Sequence, residues 1–238
     1  MDWYYIVLIV LACIAGWLGL SALLYRQFFK RFYDIVLSGL ALIVLSPVLL
    51  ILTILGSIKM KGNPFFTQER PGKNEKIFKL IKFRSMTNAK DKDGNFLPDT
   101  QRNSRYGNAL RKTSLDELPE LFNILKGDMS IIGPRPLLIR YLPYYTSEEH
   151  HRHDVRPGLT GWAQVNGRNF ITWEETFQLD LEYVRDISFA FDVKTILITV
   201  KKVLSHSDIT DATQGTEDSS GRKVHDALDI ERGAKNEI

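Results

Sequence analysis

The segment IVLSGLALIVLSPVLLILTILGSI, residues 35–58, decides how this chain meets a membrane. It contains no charged residue, and basic residues flank both of its ends: Lys30 and Arg31 precede it, and Lys59 and Lys61 follow it. Because Lys and Arg accumulate at the cytoplasmic ends of membrane segments, both ends are predicted to lie in the cytoplasm. A straight helix across the bilayer would instead place one of the two basic clusters outside.

The midpoint of this segment carries Ser46 and Pro47. Proline removes a backbone N–H and bends a helix, and a neighbouring serine hydroxyl can satisfy the carbonyl that loses its donor. Residues 28–58 are therefore predicted to form a re-entrant membrane helix that enters the bilayer, breaks at Ser46-Pro47 and returns. A proline-kinked spanning helix is the alternative.

An earlier apolar segment, Trp3 to Leu24, is long enough to span a bilayer and has aromatic residues where it enters. Basic residues follow it, beginning with Arg26, so residues 1–27 are predicted to form a transmembrane helix with its N-terminus outside. A cleaved signal peptide fits less well, because no basic region precedes the apolar run and more hydrophobic sequence follows it.

Charge and cysteine content narrow the classes of partner. The net charge of this 238-residue chain is +3, which is too small to favour nucleic acid and fits a basic surface that faces a membrane. The one cysteine, Cys13, lies in the first apolar run, so neither an intrachain disulfide nor a cysteine-ligated zinc site is expected. We expect membrane lipids as partners and no nucleic acid; a homo-oligomer is left open.

Residues 59–205 are predicted to form a cytosolic domain that is mainly α-helical with a small β-hairpin, whose strands at 64–70 and 76–86 flank a turn. A polar loop is predicted over residues 88–103, and residues 206–238 are polar enough to predict a flexible tail. Helical patterns cover residues 104–112, 116–126, 136–143, 147–154, 173–186 and 189–204.

The last of these predicted helices carries apolar residues at helical spacing beside several lysines. They could pack into the core of the domain or rest on a membrane surface, and the pattern favours the core. The residues concerned are Val193, Ile196, Leu197, Val200, Val203 and Leu204.

Two adjacent carboxylates, Asp116 and Glu117, lie at a predicted helix start. Ser114 and Glu117 have the spacing of a capping box, whereas Pro119 places the first helical turn near Asp116. Neighbouring residues on a helix point about 100° apart, so the two carboxylates cannot share one proton. One could attack an electrophile while the other holds a metal, and taken alone the pair fits a cap or a catalyst.

Arginine and histidine clusters are the other candidates for chemistry. Gly133-Pro-Arg-Pro136 fixes Arg135 between two prolines, which suits a grip on phosphate or a rigid turn. His150, His151 and His153 do not have the spacing of a helical ligand pair, which favours a solvated helix face over a metal site. No Walker A or dinucleotide-binding pattern is present in the sequence.

Several longer motifs occur together and in order, and with them the chain resembles the bacterial sugar transferases, monotopic phosphoglycosyl transferases that begin glycan assembly on a polyprenol carrier. The likeness covers roughly residues 28–205. The motifs are Lys79-Leu-Ile-Lys-Phe-Arg-Ser-Met86, Arg111-Lys-Thr-Ser-Leu-Asp-Glu-Leu-Pro119, Gly127-Asp-Met-Ser130, Gly133-Pro-Arg-Pro136 and Arg156-Pro-Gly-Leu-Thr-Gly-Trp-Ala-Gln-Val-Asn-Gly-Arg168.

This resemblance implies transfer of a sugar 1-phosphate from a UDP-sugar to undecaprenyl phosphate, which yields undecaprenyl diphosphate sugar and UMP. It also implies that Asp116 forms a covalent phosphosugar intermediate and that Glu117 helps to bind Mg²⁺. Carboxylate nucleophiles and Mg²⁺ with basic side chains suit phosphoryl transfer. The matching basic positions are Lys82, Arg84, Arg111, Arg135 and Arg168.

By the same resemblance the protein would act in the bacterial inner membrane, with its catalytic domain on the cytoplasmic face, in the synthesis of a capsule, exopolysaccharide, O-antigen or glycoprotein glycan. Two alternatives are a phosphohydrolase that uses Asp116 and a catalytically silent scaffold of a polysaccharide assembly complex. The motifs do not name the sugar.

Overall fold

In the computed structural model, residues 3–167 and 171–205 are described. Arg168 and the predicted tail at 206–238 lie outside the described residues. The helices are α1 (Trp3–Leu24), α2 (Lys30–Lys59), α3 (Asp99–Arg102), α4 (Arg105–Lys112), α5 (Glu120–Lys126), α6 (Trp162–Asn166), α7 (Trp173–Asp186) and α8 (Phe189–Ser205). The strands are β1 (Phe65–Pro71), β2 (Ile77–Phe83), β3 (Ser130–Ile132) and β4 (Gly158–Thr160).

A π-helical turn at Tyr25–Phe29 joins α1 to α2, and the helix over Tyr25–Lys59 is long and apolar enough to cross a membrane by length and composition. Helix α2 continues through Pro47 without interruption. Ser46 Oγ donates a hydrogen bond of 2.8 Å to the carbonyl of Ile43, which is the acceptor that the missing N–H of Pro47 would have used. The predicted serine contact is thus confirmed, whereas the return of the chain to the cytoplasm stays a prediction.

One face of α2 packs against the rest of the domain along nearly the whole helix. Asp34 and Ser38 are buried near its start, Leu45 packs against the core at its middle, and Leu52 and Gly56 are buried near its end. These positions recur at intervals of four or seven residues, which defines one stripe. The opposite face is exposed and apolar, and includes Phe32, Ile35, Val36, Leu40, Ile43, Val44, Leu50, Ile51, Ile54 and Ile58.

The predicted hairpin is confirmed. Strands β1 and β2 pair antiparallel, with Phe65 opposite Phe83 and Phe66 opposite Lys82. Side chains alternate between the two faces of a strand, so Lys82 lies on the same face of β2 as the buried Leu80. That face meets α5, whose Leu121 and Ile124 share a hydrophobic cluster with Leu80. The β2 strand thereby aims Lys82 at the start of α5.

A second, parallel pair of strands was not predicted. Strand β3 pairs with β4, with Ser130 opposite Gly158 and Ile132 opposite Thr160. Each strand has three residues, too few to display the alternation by which a strand is recognised in a sequence. A Cβ atom on Gly158 would lie 2.1 Å from the nitrogen of Gly133, so only glycine permits this approach of the two loops.

The helix predictions hold best for the long helices. Those at 104–112, 173–186 and 189–204 agree with α4, α7 and α8 to within about one residue at each end. The predictions at 136–143 and 147–154 correspond to shorter 3₁₀ turns at Ile139–Tyr144 and Glu149–His153. The loop predicted at 88–103 contains the short helix α3.

Helix α8 is two-sided. Ile196 packs against the cluster that contains Trp162 and Tyr183, as the core interpretation predicted. That interpretation is wrong for Val193, Leu197, Val200 and Val203, whose side chains are exposed on the other side of the helix. The side chain of Leu204 lies outside the described residues.

Candidate active site

The turn that carries the two adjacent carboxylates differs from the predicted helix start. Ser114 has a left-handed backbone, with φ of 55°, and its side chain makes no capping hydrogen bond. Of the two interpretations left open for the pair, a capping box of Ser114 and Glu117 is therefore wrong, since an N-cap residue normally has an extended backbone. Asp116 and Glu117 lie in a 3₁₀ turn at Leu115–Glu117, and α5 begins only after Pro119.

Glu117 is the centre of a cluster of charged side chains. Its Oε1 accepts hydrogen bonds from Lys82 Nζ at 2.7 Å and from Arg135 Nη2 at 3.1 Å. Lys82 also contacts Glu120 Oε1 at 3.0 Å. The cluster thus joins strand β2, the 3₁₀ turn, helix α5 and the loop after β3. Of the predicted site residues, the structure brings Lys82, Glu117 and Arg135 together by direct contact.

The two adjacent carboxyl groups differ in acidity because their surroundings differ. Burial raises the pKa of Asp116, and the negative charge of Glu117 raises it further. Burial alone would also raise the pKa of Glu117, but the charges of Arg135 and Lys82 outweigh that effect and lower the pKa to about 2. Glu117 is thereby held ionised, while Asp116 becomes the more basic carboxylate of the pair.

Glu120 belongs to the same cluster and was not predicted. Its side chain is only 4% exposed, and burial, reinforced by the charge of Glu117, raises its pKa to about 7 despite the contact with Lys82. The sequence offers a weak signal for it: Glu120 directly follows Pro119, where acidic residues are common in a first helical turn, so the helix dipole explains it equally well.

Arg70 is a second residue that was not predicted. It lies on β1, and burial together with the positive charge of Arg135 lowers its pKa to about 10. Its Nη2 donates to Gln68 Oε1 at 2.8 Å, whereas its buried Nε has no hydrogen-bond acceptor in the described part of the chain. The site therefore carries another guanidinium group that an anion could pair with.

Comparison with known proteins identifies the family. The family model described as Bacterial sugar transferase matches residues 25–206, which is more than half of the chain. The chain belongs to the bacterial sugar transferase family. The resemblance that the motifs indicated is thereby confirmed, and the charged cluster lies inside the matched region.

Individual relatives of this transferase differ in length and in the sugar that their names specify. It is 49% identical over 175 residues to the Bacillus subtilis (strain 168) protein named Uncharacterized sugar transferase EpsL, covering 74% of this chain and 87% of that protein. It is 41% identical over 188 residues to the UDP-glucose:undecaprenyl-phosphate glucose-1-phosphate transferase of Escherichia coli (strain K12). The match covers 74% of this chain and 40% of that protein.

A third relative, from Aeromonas hydrophila, is named UDP-N-acetylgalactosamine-undecaprenyl-phosphate N-acetylgalactosaminephosphotransferase. It is 36% identical over 190 residues, which cover 75% of this transferase and 44% of the relative. The transferase thus spans less than half of the length of the relatives whose names specify a sugar.

Other predicted site residues of the transferase make contacts away from Glu117. Arg111, on α4, donates to the side-chain oxygens of Asn103 and Asn108 at 2.7 and 2.6 Å. Arg84 Nη2 lies 3.4 Å from the carbonyl of Phe65. Arg168 lies outside the described residues. Their predicted roles in substrate binding stay predictions.

The histidine segment is not the solvated face that was predicted. His151 is exposed, but His153 and Arg152 are buried, and Arg152 pairs with Asp180 of α7 at 2.6 Å. His150 Nδ1 contacts Glu75 Oε1. Within residues 3–167 and 171–205, no group of three His, Cys, Asp or Glu side chains is placed to hold a metal ion.

A Mg²⁺ ion could still fit beside Glu117. This ion is often bound by one or two carboxylates together with substrate phosphates and water. Oε1 of Glu117 is occupied by Lys82 and Arg135, which leaves its second carboxylate oxygen and the adjacent Asp116 as candidate ligands. The donor set fits an ion that arrives with a diphosphate better than one held by the transferase alone.

The raised pKa of Glu120 predicts a pH-dependent stability. Its folded-state pKa of about 7 lies above the ordinary value of 4.5, so the stabilisation is complete below about pH 4.5 and is lost as the pH rises through 7. The loss amounts to roughly 3 kcal/mol. Glu120→Gln should remove this dependence of the unfolding free energy on pH. Unfolding in detergent, measured from pH 4.5 to 8, tests the prediction.

Glu69→Gln is a suitable control, because Glu69 is exposed on β1 and its replacement should leave the slope unchanged. Parallel curves of stability against pH for wild type and Glu120→Gln would contradict the assigned pKa.

Proposed function

We propose that this transferase moves a sugar 1-phosphate from a UDP-sugar to undecaprenyl phosphate and releases UMP. The observation that carries the proposal is the partly buried Glu117 carboxylate, held between Lys82 and Arg135 beside the more basic Asp116. Relatives from Escherichia coli and Aeromonas hydrophila bear names that describe this reaction with two different sugars, which supports the reaction class and leaves the sugar open.

Asp116 is the nucleophile in this proposal. An oxygen of its carboxylate forms a bond to the β-phosphorus of the donor, while the bond from that phosphorus to the bridging oxygen breaks. UMP leaves with the bridging oxygen and its electron pair. An oxygen of undecaprenyl phosphate then attacks the same phosphorus, the bond to Asp116 breaks, and the carboxylate is restored.

The cations beside Asp116 support this chemistry. Arg135 has a side chain that is 47% exposed, so its guanidinium can contact both Glu117 and a bound phosphate. Lys82 adds positive charge at Glu117, and Arg70 adds positive charge near Arg135 and Glu120. Both would stabilise the phosphoryl oxygens as charge develops on them. Mg²⁺, when bound near Glu117, would neutralise further charge on the diphosphate.

The packing of α2 supports a re-entrant arrangement. The basic residues at both of its ends support a catalytic domain on the cytoplasmic face, which we place at the inner membrane. Asp34 and Gly56 lie 22 residues apart, or about 33 Å along a helix, which is close to the thickness of the hydrocarbon layer. Both contact the same domain: Asp34 accepts from Ser130, and Gly56 lies against Pro64. A straight spanning helix would put these two contacts on opposite sides of the membrane.

Asp116→Asn should abolish both UMP release and the covalent adduct, because an amide is a far weaker nucleophile than a carboxylate. The adduct should appear by mass spectrometry as a sugar 1-phosphate on residue 116 when wild type is incubated with donor alone. Asp93→Asn, a change in an exposed turn, serves as the control and should react like wild type. UMP release by Asp116→Asn at the wild-type rate would rule Asp116 out.

Glu117→Gln should weaken Mg²⁺ binding in the presence of UDP by about tenfold or more, because one carboxylate ligand is lost. Isothermal titration of Mg²⁺ into the UDP complex gives this affinity without any turnover. Glu69→Gln is again the matched control. An unchanged Mg²⁺ affinity in Glu117→Gln would mean that Glu117 does not hold the ion.

Cysteine labelling tests the membrane arrangement. After Cys13→Ala, cysteines introduced one at a time at the exposed positions Gln27 and Gly62 should both react from the cytoplasmic side. A cysteine at Trp3, at the other end of α1, should react from the opposite side. If the cysteines introduced at Gln27 and Gly62 react from opposite sides of the membrane, α2 spans the bilayer.

A further inference from the structure

We propose that Arg152 and Asp180 are positioning residues that set the backbone of Arg135 for contact with the donor diphosphate. The inference rests on the proposed function, in which Arg135 binds phosphate. Neither residue contacts the carboxylate cluster directly. They act on it through a single hydrogen bond to the loop that carries Arg135.

Arg152 and Asp180 form an ion pair deep inside the domain. Asp180 Oδ2 accepts hydrogen bonds from Arg152 Nη2 at 2.6 Å and from Nε at 3.1 Å. The side chains are 1% and 2% exposed. The same Nη2 group also donates to the backbone carbonyl of Arg135 at 2.9 Å. Asp180 is therefore linked through one guanidinium to the loop at the active site.

Aromatic rings restrict the remaining freedom of this guanidinium. Its carbon lies 5.8 Å from the ring centre of Tyr145 and 5.5 Å from that of Phe177. Nη1 reaches the hydroxyl of Tyr145 at 3.4 Å. A planar group that is paired along one edge and flanked by rings has little room to rotate, so the donor to Arg135 is held in a fixed direction.

The loop around Arg135 needs such an external donor. Pro134 and Pro136 lack backbone N–H groups, so the loop has few donors of its own to hold its shape. The neighbouring carbonyl of Pro134 is likewise held from outside, by the nitrogen of Gly158 at 3.0 Å. Arg135 is thus anchored on its backbone side by Arg152 and on its side-chain side by Glu117.

Stability alone does not require this pair. Burying two charges carries a desolvation penalty that their attraction only offsets, and apolar residues of similar volume often stabilise a fold as well or better. Apolar residues cannot, however, donate a hydrogen bond to the Arg135 carbonyl. The feature of the pair that an apolar replacement would lose is its hold on the active-site loop.

A thermodynamic cycle on the full-length protein tests the inference, with UDP as a probe that is not turned over. Arg152→Met/Asp180→Leu should remain folded, since neither charge is left unpaired, and should bind UDP about tenfold more weakly. In an Arg135→Ala background the same double change should alter the dissociation constant less than about twofold, because its effect passes through Arg135.

The matched control is Arg185→Gln/Asp186→Asn. It removes an exposed ion pair on α7, the helix that carries Asp180, and should leave UDP binding unchanged. Equal weakening in both backgrounds, or none in either, would overturn the inference. If the double variant fails to fold, Asp180→Asn replaces it in the same cycle, and the same changes in UDP dissociation constant are expected. If Arg135→Ala itself does not weaken UDP binding, the phosphate role of Arg135 fails, and the inference fails with it; the adduct on Asp116 tests the proposed function separately.

Discussion

A partly buried carboxylate held by two cations is the interaction on which the site depends. Glu117 joins Lys82 of strand β2 to Arg135 of the loop after β3, and the 3₁₀ turn that carries it also carries Asp116. Partial burial makes the charges of Glu117 and Lys82 costly unless they are paired. The three elements are therefore held in one arrangement, which leaves Asp116 as the more basic of the two adjacent carboxylates.

The apolar helix α2 and this cluster are physically connected. Asp34 of α2 accepts hydrogen bonds from Ser130 Oγ and from the backbone nitrogen of Ile131, both at 2.9 Å. Strand β3, which contains these two residues, leads directly into the loop that carries Arg135. A soluble nucleotide and a membrane-bound lipid phosphate must reach one site in turn in the proposed reaction. The site is joined to a helix whose outer face is apolar, so a soluble donor and a lipid acceptor can both reach it.

Buried polar contacts hold the rest of the domain around the cluster. Tyr25 and Tyr183 donate to the carboxylate of Asp192, at 2.6 and 2.7 Å, and Lys30 contacts the same carboxylate at 2.7 Å. This set joins the start of α2 to α7 and α8. Like the pair of Arg152 and Asp180, it adds charged contacts to the apolar packing where separate helices meet, and each such contact fixes a direction as well as a distance.

Local patterns in the sequence determined the hairpin, the long helices, the serine contact at Pro47 and the family, because periodicity and motif spacing are properties of neighbouring residues. Tertiary structure decided that β3 pairs with β4, that Ser114 forms no capping box, that Arg152 is buried and that Glu120 belongs to the site. Partners such as Arg152 and Asp180 lie 28 residues apart, and no local pattern encodes a contact of that separation. Only the packing of the finished domain removes water from these charges, and that removal gives them their pKa shifts and their hold on the active-site loop.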